Sequence, residues 1–143
     1  MSEPLGDTVL LDTHVWIGLL NGDEALGRSP ALRQIERAAR SSSIRVSAIS
    51  VWEVGMLESK GRIHLPMGCW NWVQQALAWP GISLAPLTPE SAVESSRLPG
   101  EFHGDPADRI IVATARILPA TIITRDERIL AYGAGNHVAV LPA

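Results

Sequence analysis

Apolar residues in this chain gather in short runs, and the stretches between them carry mixed, helix-compatible patterns. Thr8-Val9-Leu10-Leu11 is too short for a helix and stops at Asp12, so it reads as a buried strand. Ile44-Arg45-Val46-Ser47, residues 82–87, Thr121-Ile122-Ile123-Thr124 and Val138-Ala139-Val140 repeat that form. Helices are predicted over 13–20, 30–40, 50–60, 70–79, 89–97, 106–118 and 126–132. Local punctuation supports these bounds. Asn21-Gly22 breaks the first helix, Pro30 suits the first turn of the second, and Gly61 closes the third as a left-handed cap. Pro80-Gly81 ends the fourth, residues 98–104 read as a loop, and Asp105-Pro106 starts the helix over 106–118, which is apolar on most sides and therefore buried. Short apolar strands alternating with helices predict an α/β fold, with a mostly parallel sheet covered on both faces.

Composition narrows the function classes. The chain has 143 residues, 46% of them hydrophobic and 19% charged, which suits one globular domain over 1–143 with a flexible N-terminus at 1–7. Its net charge of −3 excludes a general nucleic-acid coat but leaves room for a nuclease whose carboxylates dominate the sum. All but one of the 12 basic residues are Arg, which suits phosphate forks. Cys69 is the single cysteine, so an internal disulfide and a multi-cysteine zinc site are excluded. No run is long enough to span a membrane, and residues 1–7 lack a basic start followed by an apolar stretch. The expected location is cytoplasmic.

Candidate chemistry lies in the acids. In parallel sheets, ligands bind beyond the carboxyl ends of the strands. Asp12 ends the first strand, and Asp126 follows the strand at 121–124 by two residues. Glu53 and Asp108 fall in the first turns of their predicted helices, which open onto the same rim. Each acid also has a plain structural reading. Asp12 and Asp126 suit helix caps, Ser50-x-x-Glu53 matches a capping box, and Asp108 favours its helix dipole. Together they read differently: Asp12 and Asp108 sit in apolar surroundings, where an unpaired charge is costly and a divalent ion is the economical partner. Oxygen donors without cysteine select Mg²⁺ or Mn²⁺. His14, His64, His103 and His137 show no metal-ligand spacing and read as structural or exposed. No G-x-S-x-G, G-x-G-x-x-G or P-loop pattern is present.

Leu10-Leu11-Asp12-Thr13-His14, Ser50-Val51-Trp52-Glu53, Asp105-Pro106-Ala107-Asp108-Arg109 and Thr124-Arg125-Asp126 occur in this order. In that order and spacing the chain resembles the PIN-domain ribonucleases, above all the VapC-type toxins of type II toxin–antitoxin systems. The resemblance runs from about residue 8 to residue 140 and implies a PIN-like three-layer fold. It carries the four family acids onto Asp12, Glu53, Asp108 and Asp126. Either acid of Asp105-x-x-Asp108 fits the third place; Asp108 is chosen because an apolar helix follows it directly and Asp105 is the better cap.

The implied activity is Mg²⁺- or Mn²⁺-dependent cleavage of single-stranded or structured RNA. Asp12, Asp108 and Asp126 would hold the ion, and Glu53 would position water or a second ion for in-line attack, leaving a 5′-phosphate and a 3′-hydroxyl. Thr13 or Thr124 would hydrogen-bond a ligand carboxylate or water, and Arg109 and Arg125 would either contact phosphate or pair with nearby acids. The resemblance also implies a homodimer and a small VapB-like antitoxin. Val51, Val54, Met56 and Leu57 offer the antitoxin a groove between the helices at 50–60 and 70–79. Trp52 is expected in the core, and Trp72 and Trp79 on one helix face. Rival readings are a non-toxin RNA-processing nuclease and a catalytically silent RNA- or protein-binding module. Aspartyl-phosphate enzymes fit less well, because no second acid follows Asp12 at the required place and Lys60 ends an ordinary helix.

Overall fold

The computed structural model describes residues 8–143; the N-terminal segment expected to be flexible, 1–7, lies outside them. Five strands, β1 (Val9–Leu11), β2 (Ile44–Ser47), β3 (Ile82–Ala85), β4 (Thr121–Thr124) and β5 (Ala139–Pro142), form one sheet in the order β3-β2-β1-β4-β5. Every pairing is parallel, with Val9 level with Ile44 on one side and Thr121 on the other. All carboxyl ends therefore meet at one edge. The chain runs outward from β1 to β3, then returns to place β4 on the opposite side of β1, which makes the gap between β1 and β4 the switch point where such sheets bind ligands.

Among the described residues eight helices accompany the sheet: α1 (Thr13–Asn21), α2 (Glu24–Gly27), α3 (Ala31–Arg40), α4 (Ala48–Ser59), α5 (Cys69–Leu77), α6 (Pro89–Ser95), α7 (Pro106–Ile117) and α8 (Glu127–Ala134). Strand alternation divides the core in two. Val9, Leu11, Ile44, Val46 and Ile123 pack with Trp16, Ile35, Val54 and Trp72 on one face. Leu10 and Ile122 pack with Ile111, Val112, Ile129 and Tyr132 on the other. The central strands β1 and β4 are covered on both faces, which is why they read as continuous apolar runs, whereas the edge strands β3 and β5 keep exposed positions. Only α2 escaped the sequence pattern; it is a single turn capped by Asp23, too short to show a period.

Four expectations need correction. Helix α4 begins at Ala48 with Ser47 as its cap, Ser47 Oγ accepting from Ile49 N at 3.1 Å, so Ser50 and Glu53 form no capping box and Glu53 lies in the second turn. Strand β2 runs into α4 without a loop, and Ser50 turns inward to Thr13 instead. Trp52 is 57% exposed rather than buried; Ser50 and Val54, four residues apart, face the core and set Trp52 outward. Helix α5 ends at Leu77, so Trp79 lies beyond it, while Trp72 packs against Trp16 with centroids 5.1 Å apart. Finally, α4 and α5 pack on one another, Val54 is fully buried, and Val51 and Leu57 pack on the same core. Of the four residues expected to line a partner groove, only Met56 lies outside that core.

Candidate active site

The carboxyl edge of the sheet carries an open cavity of about 550 Å³ lined by Asp12, Glu53, Asp105, Asp108 and Asp126, with Thr13, His14, Arg125 and Arg128. Its floor is set by backbone geometry. Asp12 leaves β1 as the cap of α1, its Oδ1 accepting from Thr13 N at 2.8 Å, and its own N–H donates to Ile123 O at 3.0 Å. Thr124, fully buried at the end of β4, donates from Oγ1 to Asp12 Oδ2 at 2.5 Å and accepts from Asp126 N at 2.9 Å. One hydroxyl thus ties the two central strand ends together.

Glu53 reaches the same space from α4. Thr13 Oγ1 donates to Glu53 Oε1 at 2.5 Å and lies 2.7 Å from Ser50 Oγ. Thr13 has a single proton to give, so the Ser50 hydroxyl supplies the hydrogen of the second contact. Asp105 caps α7, accepting from Asp108 N at 3.1 Å, and Asp126 caps α8, accepting from Arg128 N at 2.8 Å and Ile129 N at 3.2 Å. Asp108 projects half-buried from the first turn of α7, with its Oδ2 3.1 Å from His103 Nε2.

Electrostatics follow from this crowding. Burial, then the charges of Asp105, Asp12, Asp126 and Glu53, push the Asp108 carboxyl up to about 7. Burial raises Asp12 as well, opposed by the Thr124 and Thr13 hydrogen bonds. Burial followed by Asp12 and Asp105 raises Glu53, against the pull of Thr13. Asp23 moves the other way, held down by its hydrogen bond from Arg125 Nη1 at 2.8 Å.

A hard divalent cation fits this donor set in chemistry. The donors are oxygens of carboxyl groups whose pKa is raised first by burial and then by the charges of neighbouring acids, both of which a bound cation would offset. Among the described residues no three His, Cys, Asp or Glu side chains are grouped, as they stand, to hold one ion. Each acid is instead committed locally: Asp12 and Glu53 to threonine hydroxyls, Asp105 and Asp126 to helix N-termini, Asp108 to His103. Asp12, Asp108, Asp126 and Glu53 would have to turn toward a common centre.

The structure thus brings all four sequence-derived acids, and Thr13, Thr124 and Arg125, to one rim. Arg109 is the exception. It faces away, donating from Nε to Ser95 O at 2.7 Å and from Nη1 to Phe102 O at 2.9 Å and His103 O at 3.2 Å. One residue past Asp108 on a helix is a rotation of about 100°, enough to take it off the rim. Sequence reasoning passed over His14, His103 and Arg128. His14 and Arg128 lie just beyond the strand-end acids Asp12 and Asp126, so the same rim argument would have found them; His103 sits in a loop with no local signal.

Residues 9–135 match the family described as the PIN domain. The chain is 33% identical over 135 residues to Ribonuclease VapC22 of Mycobacterium tuberculosis, covering 93% of this chain and 98% of that protein. Similar solved structures include VapBC2 from Rickettsia felis bound to a promoter DNA fragment, with a TM-score of 0.67 at 15% identity, covering 94% of this chain and 98% of that one. Another is DNA-bound VapBC from Salmonella typhimurium, with a TM-score of 0.65 at 15% identity, covering 94% and 97%. At those identities the structures speak for the fold, and the sequence match speaks for the family. With Asp12, Glu53, Asp108 and Asp126 gathered at the carboxyl edge of a five-stranded parallel sheet, the chain belongs to the PIN-domain family, among the VapC ribonucleases.

Proposed function

We propose that this protein is the toxin of a toxin–antitoxin pair and cleaves single-stranded regions of RNA with Mg²⁺ or Mn²⁺. The observation that carries the reading is the convergence of Asp12, Glu53, Asp108 and Asp126 at the β1–β4 switch point, in a chain 33% identical to a VapC ribonuclease. Asp12, Asp108 and Asp126 would hold the cation, with Glu53 beside them. When bound, the cation supplies Lewis-acid activation of water and neutralises charge building on the phosphate. Thr124 and Thr13 fix the orientations of Asp12 and Glu53. Thr13 holds Glu53 Oε1, which leaves Oε2 to orient the attacking water and take its proton. In-line attack breaks the bond to the leaving 3′-oxygen and yields a 5′-phosphate and a 3′-hydroxyl. Arg125 and Arg128 stand at the cavity for the phosphates of the strand.

Purified protein should cut a single-stranded RNA with Mg²⁺ or Mn²⁺ and stop with EDTA. Asp12→Asn and Asp108→Asn should each abolish cutting with the fold retained, while Asp105→Asn still cuts. The reverse result for the last two would move the third acid to Asp105, and no cutting with any metal would leave a silent binding module. Expression alone should halt growth, and a co-expressed small antitoxin should restore it. Harmless expression of a cleaving protein would identify an RNA-processing nuclease instead. The toxin reading places the protein in the cytoplasm, and among the described residues no helix is long and apolar enough to cross a membrane. The same reading includes a homodimer. Trp52 and Trp70, 57% and 69% exposed, are the most exposed of several large apolar side chains available to it among the described residues, and a monomer by light scattering at micromolar concentration would rule it out.

A further inference from the structure

We propose that the aromatic cavity beside the carboxylate rim is a nucleobase subsite, which receives a base next to the scissile phosphate. The inference rests on the ribonuclease reading for its substrate and on separate residues for its argument. The cavity, about 360 Å³, is lined by Phe102, His103, Arg128, Ala131, Tyr132 and His137, with the Glu101 carboxylate also in its lining. It adjoins the acids directly: His103 Nε2 is 3.1 Å from Asp108 Oδ2, and Arg128 lines both cavities.

Its walls are rings. Phe102 meets Tyr132 at 4.9 Å and His103 at 4.4 Å between centroids, and His137 stacks on Tyr132 at 4.6 Å and 26°. These rings are held in place from behind. Arg109 donates to the carbonyls of Phe102 and His103, the Tyr132 hydroxyl donates to Pro99 O at 2.5 Å, and Arg116 donates to the carbonyl of His137. Gly100 has a φ of 70°, and a Cβ there would lie 2.8 Å from His137 Nε2, so the loop approaches the ring as closely as glycine allows. Such a preorganised aromatic wall suits a planar, apolar-faced ligand.

Arg128 makes the ligand a nucleotide. Arg125 is paired with Asp23, whereas Arg128 has no ion pair among the described residues, and its Nη1 lies 3.4 Å from His103 Nδ1. It stands between the two cavities, where the backbone phosphate joining a stacked base to the reacting phosphate would run. Stacking on rings is tolerant of base identity, so this subsite holds the strand in register without reading a sequence by itself.

The test uses a labelled single-stranded RNA and its copies carrying one abasic nucleotide at successive positions. Binding is read by fluorescence anisotropy in EDTA, and cleavage is read separately with Mg²⁺ or Mn²⁺. In the wild type, one abasic position beside the cut should weaken binding about tenfold, as loss of one stacked base does. Ala131→Trp fills the cavity from an exposed helix position and should weaken binding of intact RNA by a similar factor. It should also remove the sensitivity to that one position. Phe102→Leu, which keeps apolar volume but loses the ring, should act in the same direction. Equal effects at every abasic position, or unaltered position sensitivity in Ala131→Trp, would overturn the subsite. So would Ala131→Trp that binds RNA normally but escapes an antitoxin, since the cavity would then belong to a protein partner. The anisotropy pattern without cleavage under any metal keeps the subsite and fails the nuclease reading; cleavage without the pattern does the opposite.

Discussion

Replacing Asp108 with Asn should stabilise the metal-free protein at alkaline pH while destroying its catalysis. The Asp108 carboxyl stands at about 7 in the folded protein against 3.8 for an ordinary aspartate. The folded state therefore binds this proton more tightly than the unfolded state. The stability it contributes is complete below about pH 4 and is lost as pH rises through about 7. A shift of roughly three units sets a ceiling of about 4 kcal/mol, and solvent on the open side of the cavity screens that to about 1–2 kcal/mol. Asn keeps the shape and carries no charge, so it escapes the loss. The thermal midpoint of Asp108→Asn in EDTA, followed by circular dichroism, should match the wild type at pH 4 and exceed it by about 3–8 °C at pH 8. Mg²⁺ at pH 8 should narrow or reverse the difference, because only the wild type gains a bound ion. No gain at pH 8, a gain equal at pH 4 and pH 8, or retained cleavage would refute the reasoning.

Thr124→Val keeps the buried shape but strands Asp12 Oδ2 and Asp126 N, and denaturant unfolding should show a loss of about 2–4 kcal/mol, with cleavage falling as Asp12 becomes harder to ionise. Arg109→Met should cost about 2–4 kcal/mol and speed proteolysis within 98–104, since three carbonyls lose their donor; unchanged proteolysis would remove Arg109 from the loop's support. Ser47→Ala should lower stability by about 1 kcal/mol through the lost cap, and no change would return the helix start to Ser50. In Gly133→Ala the new Cβ would lie 2.3 Å from Val140 Cγ2, and a loss of about 1–3 kcal/mol is expected on urea unfolding.

Some of this protein is legible in its sequence alone. Short apolar runs ending at Asp12 and Thr124, with Pro106 and Gly61 marking helix ends, are signals carried within a few residues, and the strands and major helices follow them closely. The rim of acids was legible too, because parallel strands place their carboxyl ends on one edge whatever their order. Tertiary structure decided the rest. Strand order β3-β2-β1-β4-β5 brings Thr124 against Asp12 across 112 residues of chain, a contact that no local pattern encodes. The rotational phase of α4, set by Val54 and Ser50 against their partners, turns Trp52 outward and puts Glu53 beside Thr13. Arg109 turns to backbone carbonyls and His103 to Asp108 because α7 packs against the 95–103 segment, which the sequence marks only as a helix end and a loop. Propensity and capping act between neighbours along the chain; side-chain direction at this site is set by packing between segments far apart in it.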